Sequence, residues 1–102
     1  MDKIAALNEV LELDPRNAFA RYGLAMEFAA QGNNETALTE FGILIAQHPD
    51  YVPAYQMSAQ TLVKLNRIDE ARQRLDLGLA AAQRTSNAHA ASEMQAMLDE
   101  LG

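Results

Sequence analysis

Two histidines and fourteen acidic residues are the side chains of this chain that could build a metal site or a general acid–base pair. His48 directly precedes Pro49, and His89 lies among polar residues. We interpret both as solvated, the first in a turn and the second on the polar face of a helix. We expect no helical pair of ligands at the i, i+4 spacing that metal sites use. The sequence therefore predicts no metal and no bound cofactor.

Nucleophilic chemistry also lacks a basis in the sequence. The chain has no cysteine, which excludes disulfides, thiol catalysis and the common structural zinc sites. Its five glycines are separated, so neither a phosphate-binding loop nor a nucleophile elbow occurs. We interpret the charged run of residues 69–76 as a solvated helix face with the ion pairs Glu70–Arg74 and Arg72–Asp76. We expect the protein not to be an enzyme.

The net charge and the hydropathy pattern limit the partners. A net charge of −6 argues against binding to nucleic acid or to an anionic membrane. No apolar run approaches the roughly 18 residues of a membrane helix. The opening residues, Met1-Asp2-Lys3, do not resemble a signal peptide. Cytoplasm is the default expectation if residue 1 is the natural N-terminus, although a domain cut from an exported or anchored protein would look the same.

The distance between Pro15 and Pro49 organises the chain, because the residue types between them recur at the same offset. We call this offset the repeat period. The matching pairs are Ala25 with Ala59, Phe28 with Leu62, Glu35 with Asp69, Ala37 with Ala71, and Phe41 with Leu75. A fixed period of about 34 residues is typical of a solenoid built from helix pairs.

Apolar residues at three- and four-residue spacing predict an all-α fold of six helices. The predicted helices cover about residues 2–13, 18–31, 34–47, 52–65, 68–84 and 87–101. Asn17 is expected to cap the second helix. Gly32 and Asn66, which stand one repeat period apart, are expected to take left-handed backbone conformations at helix ends. Short connections predict antiparallel hairpins, and 102 residues support one domain.

The repeated residues resemble the tetratricopeptide repeat, a helix–turn–helix unit with the same period. The first full unit, 18–51, supplies Leu24, Ala25, Phe28, Gly32, Ala37, Phe41, Leu44 and Pro49. The second, 52–85, supplies Tyr55, Ser58, Ala59, Leu62, Asn66, Ala71, Leu75 and Gly78. Residues 1–15 fit a half unit, and residues 87–101 fit a capping helix whose register is shifted by about two residues. The resemblance implies an α-solenoid of antiparallel helix pairs.

Two residues depart from the family pattern. Lys3 replaces a small residue in the half unit, and Arg21 replaces a large residue in the first full unit. The corner at Arg21 is expected to be either looser or paired with an acid such as Asp14. No proline follows the second unit.

The resemblance implies a protein-interaction module in which the first helix of each unit lines a concave groove for a peptide or a helix. The residues of this chain at the family's contact positions include Phe19, Tyr22, Met26, Ala30, Gln56, Met57, Gln60 and Lys64. Alternatively, Phe19, Tyr22 and Met26 merely pack against the first or the last helix. Tyr22, Met26 and Met57 replace the Lys and Asn residues of the clamp that holds chaperone tails, so that function is rejected.

Self-association is the alternative function. The resemblance implies that the half unit lacks its first helix, which would leave Ile4, Leu7 and Leu11 uncovered. An uncovered apolar face favours a partner, and a two-fold homodimer is the commonest solution. A weaker alternative is an assembly segment of a larger enzyme.

Overall fold

The computed structural model describes residues 2–102, so Met1 of the predicted half unit lies outside the described residues. These residues form six α-helices and no strand, which confirms the predicted all-α fold. In chain order the helices are α1 (Lys3–Leu13), α2 (Ala18–Ala30), α3 (Asn34–Gln47), α4 (Val52–Lys64), α5 (Ile68–Arg84) and α6 (Ala88–Leu101). None of the helices in the described part combines the length and apolar character that crossing a membrane requires.

Left-handed residues end four of the helices. The last of them is Gly102 (φ 74°), which caps α6, and the other three begin turns between helices. Gly32 has φ 79° and Asn66 has φ 59°, as the sequence predicts, and Ser86 has φ 56°. Each of the three turns is closed by a backbone bond that is typical of the Schellman motif. These bonds run from the N–H of Asn33 to the carbonyl of Phe28 (2.9 Å), from Arg67 to Leu62 (2.9 Å) and from Asn87 to Ala82 (2.8 Å).

The starts of α2 and α4 follow the repeat period, whereas the start of α6 departs from it. The Asn17 side chain accepts a hydrogen bond from the Ala20 N–H at 2.8 Å, which confirms the predicted cap. Asn87 caps α6 in the same way through the Ala90 N–H at 3.1 Å. Asn17 and Tyr51, the residues before α2 and α4, are one repeat period apart, whereas Asn87 lies slightly more than one period after Tyr51. The last helix therefore has the predicted shift of two residues.

Small residues allow each pair of helices to approach closely. Ala25 and Ala37 belong to one buried cluster in the α2–α3 hairpin, and Ala59 and Ala71 belong to another in the α4–α5 hairpin; all four are fully buried. The large residues Phe41, Leu44 and Leu75 fill the adjoining space and are also fully buried. This alternation of small and large side chains gives the close packing that fixes the geometry of the hairpins.

The stacking of the hairpins gives the molecule two different faces. Consecutive helices pack in order, and α4 also contacts both α2 and α6. Within residues 2–102, α1, α3 and α5 do not approach one another in this way. The surface formed by α2, α4 and α6 is therefore the inner face of the solenoid, and α1, α3 and α5 form the outer side.

Arg21 pairs with an acid other than the expected one. Its Nη1 lies 2.7 Å from Glu40 Oε1 on α3, and both side chains are only 14% exposed. Its Nη2 donates to the carbonyl of Pro15 at 3.2 Å. The pairing with an acid is therefore confirmed, but the acid is Glu40 and not Asp14. Nη1 reaches across the hairpin to α3, while Nη2 keeps contact with the turn through the Pro15 carbonyl.

The ion pairs predicted on α5 are also wrong. Arg67, just before the helix, takes both oxygens of Glu70 at 2.5 and 2.8 Å, which leaves Glu70 engaged away from Arg74. Arg72 reaches Asp69 at 3.1 Å and donates to the Leu101 carbonyl at 2.6 Å, and it forms no ion pair with Asp76. The guanidinium of Arg72 therefore ties the end of α6 to α5.

Candidate ligand-binding groove

Tyr22, Met26 and Met57 of the predicted groove lie together on the inner face. All three are partly buried and pack against one cluster whose buried members include Ala25, Phe41 and Ala54. The Tyr22 ring meets the edge of Phe41, with ring centroids 6.3 Å apart. One side of each of these side chains therefore fills the junction of α2, α3 and α4. The other side remains partly accessible to solvent.

Tyr51 extends this surface, although sequence reasoning did not assign it to the site. Its ring centroid lies 5.4 Å from that of Tyr22. Burial raises the pKa of both tyrosines, and the neighbouring Tyr51 phenol raises the pKa of Tyr22 further. Both phenols therefore stay protonated at neutral pH and can donate hydrogen bonds. Tyr51 follows a proline turn and not a helix face, so helical spacing could not identify it.

A cavity of about 300 Å³ forms the other end of the groove, between α4 and α6. The predicted residues Gln60 and Lys64 line it together with Val63, Met97, Glu100 and Leu101. The α6 residues were not predicted as site residues, because α6 was interpreted as a cap. The apolar spacing of Met97 and Leu101 was visible in the sequence, but only the packing shows that α6 continues the inner face.

Gln56 is engaged by α6. Its Nε2 donates to Glu93 Oε2 at 3.0 Å, and the other carboxylate oxygen of Glu93 contacts Nε2 of His89. His89 and Glu93 thus stand at the i, i+4 spacing, and the expectation of no such pair is wrong. No group of three metal-ligating side chains gathers within the described residues. The geometry makes Gln56 a link between α4 and α6.

Phe19 and Ala30 lie at opposite ends of α2 and are both exposed, Phe19 to 81%. Phe19 therefore does not pack against α1 or α6, although the alternative interpretation requires such packing. Tyr22 and Met26 do pack, but against α3 and α4.

The residues predicted for self-association face α2. Leu11 is buried, and Ile4 and Leu7 are half-buried; all three pack with Ala20 and Leu24. The apolar side chains of α1 that remain exposed are Val10, at 40%, and Leu13, at 91%.

Comparisons with known proteins agree with this architecture. A family model described as a tetratricopeptide repeat matches residues 28–97. A solution structure of a tetratricopeptide repeat domain protein from Salinibacter ruber is 31% identical, with a TM-score of 0.81, over 86% of this chain and 89% of that chain. No curated protein sequence matches the chain significantly.

Two structures of complexes have the same fold at lower identity. The TPR2B domain of yeast Sti1, in a complex with pHsp70, has a TM-score of 0.89 at 19% identity, over 96% of this chain and 78% of that chain. PcrH, in complex with the chaperone binding region of PopD, has a TM-score of 0.89 at 19% identity, over 96% and 74%. Since the family model spans more than half of the chain, this protein belongs to the tetratricopeptide repeat family.

Proposed function

We propose that this protein is a non-catalytic interaction module that binds a peptide or a helix along its inner face. The observation that carries the proposal is the cavity of about 300 Å³ between α4 and α6, whose apolar walls are Val63, Met97 and Leu101. It lies on the same face as the partly exposed side chains of Tyr22 and Met26. A ligand with spaced apolar side chains can use both places at once.

The chemistry of the groove favours an apolar ligand with polar flanks. Methionine side chains such as Met26, Met57 and Met97 adapt to ligands of different shape. Lys64 and Glu100 stand at the cavity and offer one charge of each sign. An amphipathic helix or an extended segment that inserts an apolar side chain between them fits the helix-in-groove mode of recognition.

Membership of the family supports the same proposal. The related folds of Sti1 and PcrH were solved in complexes with pHsp70 and with a region of PopD, respectively. Those partners belong to those proteins. They support a protein ligand for this chain without indicating its sequence.

The test is a selection of binding peptides from a random displayed library, followed by titration of the selected peptides. We expect the double variants Tyr22→Ala/Met26→Ala and Lys64→Ala/Met97→Ala to lose at least tenfold in affinity and to keep their helical circular dichroism. The matched control is Leu13→Ala, which truncates a 91% exposed side chain at the end of α1, away from the inner face, and should bind like the parent. The proposal would be refuted if every selected peptide bound both double variants as tightly as the parent.

A second candidate function is homodimerisation through α1. The observation in its favour is a comparison between units: Val10 is 40% exposed, whereas Leu44 and Gly78, its equivalents one and two repeat periods later, are buried. Light scattering should then show a dimer that Val10→Asp with Leu13→Asp converts to monomers. A concentration-independent monomer of the parent chain would exclude this function.

A further inference from the structure

The outer side carries a second cavity, of about 350 Å³, between α3 and α5. We name it the outer groove. Its charged side chains are Glu35, Arg67, Glu70 and Arg74, and its apolar walls include Leu38, Leu62 and Leu77. It lies on the opposite side of the hairpins from the inner face, so any ligand here is additional to one on the inner face.

The guanidinium of Arg67 is already paired with two carboxylates. It donates to both oxygens of Glu35, at 3.0 and 3.2 Å, and to both oxygens of Glu70, at 2.5 and 2.8 Å. The hydrogen bonds with Glu70 raise the pKa of Arg67 and lower the pKa of Glu70. Both acids of the outer groove are therefore committed to this one guanidinium.

Arg74 has no such partner. Within residues 2–102 it belongs to none of the ion pairs, and Glu70 acts on it only from a longer distance. Its side chain is half-buried, and burial lowers the pKa of Arg74. Arginine nevertheless keeps its charge in proteins. The outer groove thus contains a partly desolvated cation whose fork of donors is not matched by a carboxylate.

The equivalent positions in the first unit show which group Arg74 lacks. Glu40 precedes Arg74 by one repeat period, and Arg21 precedes Tyr55 by the same distance. Arg21 and Glu40 neutralise each other at 2.7 Å. In the second unit the hydroxyl of Tyr55 donates to the Pro49 carbonyl at 2.6 Å and offers no negative charge to Arg74. The chain therefore neutralises the arginine in the groove of its first unit and leaves the one in its second unit without an acid.

We propose that the outer groove binds a carboxylate-bearing segment of a partner protein, in which an acidic side chain follows an apolar one. Arg74 would take the carboxylate in a bidentate pair. The neighbouring apolar side chain would cover Leu77, which is 57% exposed at the rim. A carboxylate is favoured over a phosphate because it is the group with which the first unit pairs its own arginine, Glu40 with Arg21 at 2.7 Å.

The test uses two capped dipeptides, acetyl-Leu-Glu-amide and its neutral counterpart acetyl-Leu-Gln-amide, with phenyl phosphate as a third probe. Each is titrated into the ¹⁵N-labelled protein while the side-chain Nε–Hε signals of the arginines are followed. Ligands of this size bind with Kd on the order of millimolar. We expect the acidic dipeptide to shift the Arg74 signal and the neutral one to leave it unchanged. Equal shifts with both dipeptides, or a stronger response to phenyl phosphate, would overturn the proposal.

A matched pair of variants at the rim keeps the test sharp. Leu77→Glu places an internal carboxylate one helical turn after Arg74, and we expect it to weaken the acidic dipeptide at least tenfold. Leu77→Gln is its neutral control: it loses the apolar contact but adds no charge, so we expect it to weaken the dipeptide much less than Leu77→Glu does. Lys64→Gln, on the inner face, should also bind like the parent. If Lys64→Gln loses binding while Leu77→Glu keeps it, the acidic ligand lies on the inner face, and the outer groove is refuted without harm to the proposed function.

Discussion

Arg21 and Tyr55 occupy equivalent places in successive repeats and make the same hydrogen bond with different chemistry. Each donates to the carbonyl of the proline that stands before its own helix, Arg21 Nη2 to Pro15 at 3.2 Å and the Tyr55 hydroxyl to Pro49 at 2.6 Å. The arginine that departs from the family pattern thus preserves the bond between a helix and the preceding turn. It differs in carrying a charge, which Glu40 balances.

This relationship predicts the cost of losing Arg21. Arg21→Ala leaves Glu40 largely buried without its cation, and we expect the free energy of unfolding to fall by roughly 2 kcal/mol, between the values of exposed and fully buried pairs. Urea denaturation followed by circular dichroism measures it. The double variant Arg21→Tyr/Glu40→Arg copies the residues of the second unit and should recover most of the loss. A double variant no more stable than Arg21→Ala would show that the two units are not interchangeable here.

Replacing Gly78 with alanine is expected to destabilise the protein, although helix propensity alone favours alanine there. An added Cβ at this position would lie 2.5 Å from Met94 Sδ and 2.7 Å from Tyr55 Cβ. Met94 can move its flexible end, but Tyr55 Cβ is fixed by the helix backbone. We expect Gly78→Ala to lower the free energy of unfolding by about 1–3 kcal/mol.

Gly42 provides the matched control for Gly78. A Cβ there meets no atom within 4 Å. Gly42→Ala should therefore stabilise the protein by about 0.5–1 kcal/mol, the usual preference for alanine within a helix. Equal effects of the two substitutions in thermal denaturation would contradict the close contact between α5 and α6.

Removing the hydroxyl group of Ser58 is expected to stabilise the protein. Its side chain is fully buried, and its hydroxyl oxygen has no hydrogen-bond partner within residues 2–102. We expect Ser58→Ala to raise the free energy of unfolding by about 1 kcal/mol, because an unpaired buried hydroxyl is removed.

Thr61 is the control for Ser58 on the same helix. It is also buried, but its hydroxyl donates to the Met57 carbonyl at 2.9 Å. Thr61→Val should therefore bring no gain in chemical denaturation. A loss of stability in Ser58→Ala would show that this hydroxyl forms a bond in solution.

The sequence predicts those features that depend on local spacing and backbone need. Gly32 and Asn66 share a left-handed conformation because the same turn recurs after one repeat period, and the apolar stripes locate the helices. Ser86 was not predicted to be left-handed. Nothing in a serine indicates that conformation, which follows from the longer α5 and the two-residue shift of α6.

The candidate site is less accessible to sequence reasoning, because it depends on which long side chains meet. Arg21 pairs with Glu40, and Arg67 pairs with both Glu35 and Glu70. The direction in which each arginine side chain extends decides these partners. The cavity at Lys64 and Met97 exists only because α6 packs beside α4.

The ionisation of Tyr22 is expected to lower the stability of the protein at alkaline pH. Its pKa is raised in the folded protein above the ordinary value of 10.0, by burial and by the neighbouring Tyr51. Above pH 10 the unfolded chain therefore releases the phenolic proton while the folded chain retains it. Fewer protons bound in the unfolded state mean that stability falls as pH rises, from about 10 up to the folded-state pKa.

The variant Tyr22→Phe isolates this contribution, because it keeps a ring against Phe41 and removes the ionising group. Urea midpoints between pH 8 and pH 12 should fall less steeply for Tyr22→Phe than for the parent, and the two proteins should be most alike below pH 9. Absorbance of tyrosinate in the folded protein should show Tyr22 and Tyr51 titrating later than free tyrosine. A parent and a variant with parallel alkaline slopes would mean that the Tyr22 hydroxyl is as well solvated in the folded chain as in the unfolded one.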